Sequence, residues 1–83
     1  MTVNDRLRAF LLANFYISDP SELTDETLLV SGGLVDSTGM LEVISFLETE
    51  FGIQITDQET TPENLESISR MTRFVERKRA LAF

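Results

Sequence analysis

A chain of 83 residues with 42% hydrophobic and 25% charged side chains has the composition of one small folded domain, which excludes a disordered segment. It contains no cysteine, which excludes disulfides and thiolate metal sites and suits a reducing compartment, so we expect a cytoplasmic protein. No apolar run reaches the roughly 20 residues of a membrane span, and the N-terminus lacks the apolar stretch of a secretory signal.

Charge is distributed unevenly along the chain. The seven basic residues lie near the two ends, and none falls between residues 9 and 69. Of the fourteen acidic residues, only Asp5 and Glu76 lie outside that span, which leaves twelve within it. Such a region repels the phosphates of nucleic acids, so we expect no nucleic-acid partner. It attracts proteins with basic patches, although the acids also serve the simpler purpose of keeping a small domain soluble.

The N-terminal segment predicts an amphipathic helix over about residues 3–16. Thr2 followed by Asp5 resembles a capping box and marks its start. The predicted inner face consists of Val3, Leu7, Phe10, Leu11 and Phe15.

A long irregular loop is predicted over residues 17–36, because Asp19-Pro20 cannot continue the helix. A loop of this length in a small domain often has a function. Its expected buried anchors are Leu28, Leu29, Val30 and Leu34.

The second predicted helix covers residues 37–51, and Gly52 ends it. Ile53 and Ile55 alternate with polar residues, but a single strand would have no partner, so a loop is expected there. The inner face of the helix is formed by Met40, Val43, Ile44, Leu47 and Phe51.

Two further helices are predicted, a short one over residues 62–66 and a longer one over 67–80. Thr61 is the expected cap and Pro62 the first residue of the short helix, and Ser67 is the expected cap of the longer one. Basic residues near the C-terminal end match the helix dipole. The inner face of the last helix is formed by Ile68, Met71, Thr72 and Val75, with Phe74 beside it. The chain is therefore predicted to be a single all-α domain over residues 1–83, a small four-helix bundle with three long helices and one short helix.

Intrinsic catalysis is not expected. Without histidine or cysteine the chain contains no Ser-His-Asp triad and no zinc site built on imidazole or thiolate. Asp36 is not a base for Ser37, because adjacent residues on a helix do not face each other. A calcium site remains an alternative for so acidic a chain, although no EF-hand spacing is present.

The stretch "GLVDSTGM" places Ser37 directly after Asp36 where the loop becomes the second helix, so Ser37 is a helix-start residue, a nucleophile or an attachment point. The run from Gly33 to Gly52, "GLVDSTGMLEVISFLETEFG", resembles the acyl and peptidyl carrier protein family, and the order of the remaining segments is similar as well. The resemblance implies an acyl carrier protein-like bundle in which Ser37 accepts 4′-phosphopantetheine from coenzyme A and Asp36 caps the helix beside it. An anion on Ser37 would suit a helix N-terminus.

The resemblance also implies a non-catalytic carrier and its partners. These are a phosphopantetheinyl transferase, a ligase or transferase that loads an acyl or aminoacyl group as a thioester, and downstream synthase enzymes with basic patches. The implied partner-binding face of the second helix consists of Thr38, Leu41, Glu42, Ser45 and Glu48.

The cargo is less defined by the resemblance. Thr38 stands where many carriers have leucine, and the Asp-Ser-Thr-Gly run is similar to that of D-alanyl carriers, which favours an aminoacyl cargo over a fatty acyl or polyketide one. Helix packing is an alternative reason for Gly39. We expect a discrete, monomeric carrier, and the alternative is an acidic helical interaction domain that is never modified.

Overall fold

The computed structural model of the protein describes residues 2–81. Within this range there are four α-helices, two single 3₁₀ turns and no β-strand. The helices are α1 Val3–Asn14, α2 Ser37–Phe51, α3 Pro62–Leu65 and α4 Ile68–Ala80, and the 3₁₀ turns are Pro20–Glu22 and Asp57–Glu59. The predicted all-α bundle of three long helices and one short helix is confirmed.

Most helix ends are set by local signals that the sequence contains. The capping box of α1 is present: Asp5 N–H donates to Thr2 Oγ1 at 3.1 Å, and Thr2 N–H donates to an Asp5 carboxylate oxygen at 3.3 Å. Gly52 ends α2 with a φ of 66°, in the left-handed region that glycine adopts without strain. Ser67 Oγ accepts from the Arg70 N–H at 3.2 Å and caps α4.

Three features of the helix ends differ from the predicted ones. Helix α1 ends at Asn14, two residues early, because Phe15 is extended with φ −127° and ψ 148°. Thr61 precedes α3, but its side chain makes no capping hydrogen bond, so the predicted side-chain cap is absent. Pro62 is the first residue of the helix, where its fixed φ is favourable. Helix α3 ends at Leu65 rather than at residue 66.

The core lies where α1 and α3 pack against α4, and α2 makes a smaller contact with α4. The predicted inner faces of the helices supply most of the buried side chains. In the loop, Leu29 is buried as predicted, but Leu28 and Val30 are each 45% exposed, so their prediction as buried anchors was wrong. Leu23 and Val35 are buried in their place.

The basic ends of the chain fold back onto the acidic middle. Three ion pairs form among residues 2–81: Arg6 with Glu50 at 2.9 Å, Arg8 with Asp25 at 2.5 Å, and Lys78 with Glu59 at 2.9 Å. The first of these joins α1 to α2. Part of the acidic span is thus neutralised within the molecule. Of its remaining acids, Glu66 is buried and Glu48 is half-buried, and the others are exposed.

Candidate functional site

Ser37 is the first residue of α2 and is exposed to solvent. The residue before it, Asp36, is the N-cap, and its Oδ1 accepts from the Gly39 N–H at 2.6 Å. Its backbone oxygen accepts from the Met40 N–H at 2.9 Å. Ser37 therefore lies at the positive end of a 15-residue helix, on a first turn that Asp36 holds in place.

The backbone before Asp36 is anchored in the core. Leu29 and Val35 are buried, and Leu29 O accepts from the N–H groups of Leu34 at 2.9 Å and of Val35 at 3.0 Å. These bonds close residues 29–35 into a fixed loop, which we call the 29–35 segment. The backbone that precedes Asp36 and Ser37 is therefore positioned by packing and hydrogen bonds.

A buried carboxylate that follows α3 binds the same segment. Glu66 follows α3 and is 5% exposed, and its Oε2 accepts from the Val30 N–H at 2.7 Å. Its Oε1 accepts from the Ser31 hydroxyl at 2.5 Å. This hydroxyl, followed by the backbone N–H groups, holds the pKa of the Glu66 carboxyl below its ordinary value against the effect of burial.

Sequence reasoning did not single out Glu66, because it placed this residue at the end of the short helix as one acid among twelve. The available signal was its position between Leu65 and the cap Ser67, inside a run that is buried from residue 65 to residue 68. A charged residue in such a run needs hydrogen-bond partners.

Gly39 is buried on α2 because a neighbouring aromatic ring occupies the space beside it. A Cβ at this position would lie 2.6 Å from Phe15 Cε1 and 3.2 Å from both Val35 Cγ1 and Asp36 Oδ1. Contacts under 3.0 Å require a neighbour to move. The glycine thus has a packing function within the chain.

An open cavity of about 350 Å³ lies beside Ser37, and we call it the Ser37 groove. Besides Ser37 its lining is mostly apolar, formed by Val30, Met40, Leu41, Ile44 and Ile55, together with Asp57 and Thr60. A second cavity of about 250 Å³, the α3 cavity, lies next to Leu65 and Glu66 and shares Val30, Met40 and Thr60 with the groove. Residue Val30 of the 29–35 segment is therefore part of the wall of both.

Four of the five predicted partner-face residues are exposed on α2, and Leu41 is 67% exposed. Leu41, Glu42 and Ser45 also line a shallow depression of about 490 Å³ against α1. The fifth residue, Glu48, is half-buried, and its Oε2 accepts from the Ile55 N–H at 2.9 Å. Glu48 thus secures the loop after α2, whereas the other four are free to face a partner.

Residues 2–81 contain neither a helix that could span a membrane nor a cluster of side chains that could hold a metal ion. None of their helices is both long and apolar enough to cross a membrane. No group of three or more acidic side chains in this part of the chain is arranged to hold a metal ion.

A scan of the sequence against models of known protein families gave no match.

Proposed function

We propose that the protein is a carrier that holds an acyl or aminoacyl group as a thioester on a 4′-phosphopantetheine arm attached to Ser37. The observation that carries the proposal is the exposed hydroxyl at the capped N-terminus of α2, next to the Ser37 groove. The resemblance of residues 33–52 to acyl and peptidyl carrier proteins supports it and suggests an acyl carrier protein-like fold.

The residues at the site fit such an arm. A phosphodiester on Ser37 is favoured by the free backbone N–H groups and the positive dipole end of α2. In the transfer, a bond forms between Ser37 Oγ and the phosphorus as the phosphorus bond to the nucleotide part of coenzyme A breaks, and the serine proton leaves to the transferase or to water. The bound group supplies the thiol that this cysteine-free chain lacks.

Within this proposal, Asp36 and the Ser37 groove have separate tasks. Asp36 fixes the first turn of α2, so that the Ser37 hydroxyl is presented at one place and orientation. The apolar side chains of the Ser37 groove offer a surface on which the methylene and methyl groups of the arm can lie. The chain itself performs no chemical step.

Partner enzymes would dock on the exposed face of α2. Leu41 supplies an apolar contact, and Glu42 supplies charge for a basic patch on the phosphopantetheinyl transferase, the loading ligase or a downstream synthase. Each contact would be small and transient, as a carrier must leave one enzyme to reach the next. We place this exchange in the cytoplasm, where coenzyme A and a reducing environment are both present.

The cargo that we propose is an aminoacyl group. An aminoacyl group is suggested by the likeness of the Asp-Ser-Thr-Gly run to D-alanyl carriers. Because Gly39 is accounted for by its contact with Phe15, this glycine adds little to the suggestion.

The test is the intact mass of the purified chain after incubation with coenzyme A and a broad-specificity phosphopantetheinyl transferase. We expect one phosphopantetheine group on the wild type and none on Ser37→Ala, with both folded by circular dichroism. Ser21→Ala is the matched control, since Ser21 is also an exposed serine at the start of a helical turn, and it should be modified like the wild type. An unmodified wild-type chain would refute the proposal and leave the acidic interaction domain. Modification of Ser37→Ala would refute the site.

A further inference from the structure

We propose that Glu66 is a positioning residue for Ser37, and that it acts through the 29–35 segment. The role in modification rests on the proposed function, whereas the attachment of the segment to Glu66 does not. All fourteen acidic side chains lie in the described residues, and Glu66 alone among them is buried. A buried carboxylate must accept hydrogen bonds. The residues that donate these bonds are the ones that the carboxylate fixes in place.

Within residues 2–81, every hydrogen bond that the Glu66 side chain accepts comes from two consecutive residues. Val30 N–H donates to Oε2 at 2.7 Å, the Ser31 hydroxyl donates to Oε1 at 2.5 Å, and Ser31 N–H lies 3.3 Å from both oxygens. The Glu66 backbone oxygen accepts from the Leu29 N–H at 2.8 Å. One residue thus fixes three successive positions of the loop, and hydrogen bonds to a charged acceptor are the stronger kind.

The fixed positions are connected to the attachment residue by the backbone. Leu29, which Glu66 holds, accepts through its own oxygen from Leu34 and Val35, and Val35 directly precedes the cap Asp36. Val30 is also a wall residue of both the Ser37 groove and the α3 cavity. If Val30 moves away from Glu66, the shape of both cavities should change. Release of Glu66 should therefore loosen both the start of α2 and the surface next to Ser37.

The substitution that tests this connection is Glu66→Gln, which keeps the size of the side chain. Glutamine offers one acceptor oxygen and turns N–H donors towards the donors of Val30 or Ser31, so part of the contact is lost. The matched control is Glu63→Gln, an exposed acid on α3. The first measurement is amide hydrogen exchange of the unmodified chain. We expect exchange at Val30 and Ser31 to become at least about tenfold faster in Glu66→Gln, while the core amides of α4 stay protected.

The second measurement is the kinetics of phosphopantetheine transfer to Ser37. Because the exposed face of α2 is unchanged, KM should stay near the wild-type value, and kcat should fall about tenfold as the hydroxyl is held less well. Glu63→Gln should match the wild type in both parameters. A purely structural role for Glu66 would loosen the segment without this fall in kcat.

The possible results separate the parts of the inference. Unchanged exchange at Val30 and Ser31 would overturn it, and so would faster exchange with an unaltered kcat. If Glu66→Gln does not fold, Ser31→Ala removes a single donor and is judged by the same two measurements. A wild-type chain that takes no phosphopantetheine would refute the proposed function and the positioning role together, while the exchange data would still decide whether Glu66 holds the segment.

Discussion

The contact between Gly39 and Phe15 gives a direct test of how the N-terminus of α2 is packed. By intrinsic propensity, Gly39→Ala should stabilise a helix by about 1 kcal/mol. The added Cβ would, however, lie 2.6 Å from Phe15 Cε1 and 3.2 Å from the buried Val35 side chain. Overpacking of this kind costs about 1–3 kcal/mol.

The cost of overpacking should exceed the gain in helix propensity, because the Phe15 ring is held by contacts with other aromatic rings. Phe15 packs edge-on against Phe10 with ring centroids 6.3 Å apart, and Phe10 stacks on Phe46 at 4.1 Å. We therefore expect Gly39→Ala to lower the free energy of unfolding by about 1 kcal/mol net, the difference between the two terms. For a domain of this size that corresponds to a loss of about 4–8 °C in Tm.

Urea denaturation followed by circular dichroism measures this change, with Ser45→Ala as the control on the exposed face of the same helix. A double-mutant cycle with Phe15→Leu isolates the contact, since removing the ring edge should let Gly39→Ala regain its favourable propensity. An alanine variant more stable than the wild type, or a cycle with no coupling between the two positions, would refute the packing argument. The Asp-Ser-Thr-Gly run would then need another explanation for its glycine.

Three further predictions use the same denaturation assay. Asp36→Ala removes the acceptor of the Gly39 N–H and should lower the free energy of unfolding by about 1 kcal/mol, and no change would show that the cap contributes nothing to α2. Thr72→Val removes a buried hydroxyl for which no partner is found in residues 2–81, and it should raise the free energy of unfolding by about 1 kcal/mol. Thr49→Val, on the exposed side of α2, should have an effect near zero. The pKa of Glu66 is lowered from 4.5, so its contribution to stability is complete above pH 4.5 and is lost as the pH falls through the folded-state pKa. Wild type should accordingly lose more stability on acidification than Glu66→Gln, and parallel pH curves would contradict this.

Signals that act within a few residues allowed much of the fold to be read from the sequence. The capping box at Thr2, the glycine stop at Gly52 and the cap at Ser67 each involve partners three or four residues away. Helical periodicity likewise predicted the buried faces of α1, α2 and α4. The placement of Ser37 at the start of α2 behind the cap Asp36 belongs to this group, because Asp36 and Gly39 are three residues apart.

Contacts between distant parts of the chain were not readable in this way. Glu66 binds Val30 and Ser31 across 36 and 35 residues, and its position between Leu65 and the cap Ser67 does not identify these partners. The half-burial of Glu48 depends on the course of the loop after α2, which brings the Ile55 N–H back to its carboxylate. The exposure of Val30 depends on the path of the 29–35 segment, which is hydrogen-bonded both within itself and to Glu66.

The sequence by itself thus determined the helices, most of their caps and the exposed serine, because hydrogen bonding and periodicity along a helix depend on neighbouring residues alone. Only the tertiary structure decided which acid is buried, why Gly39 has no side chain and what surface surrounds Ser37. These features arise where separate segments meet, and the free energy of such contacts depends on the distances that the whole fold imposes.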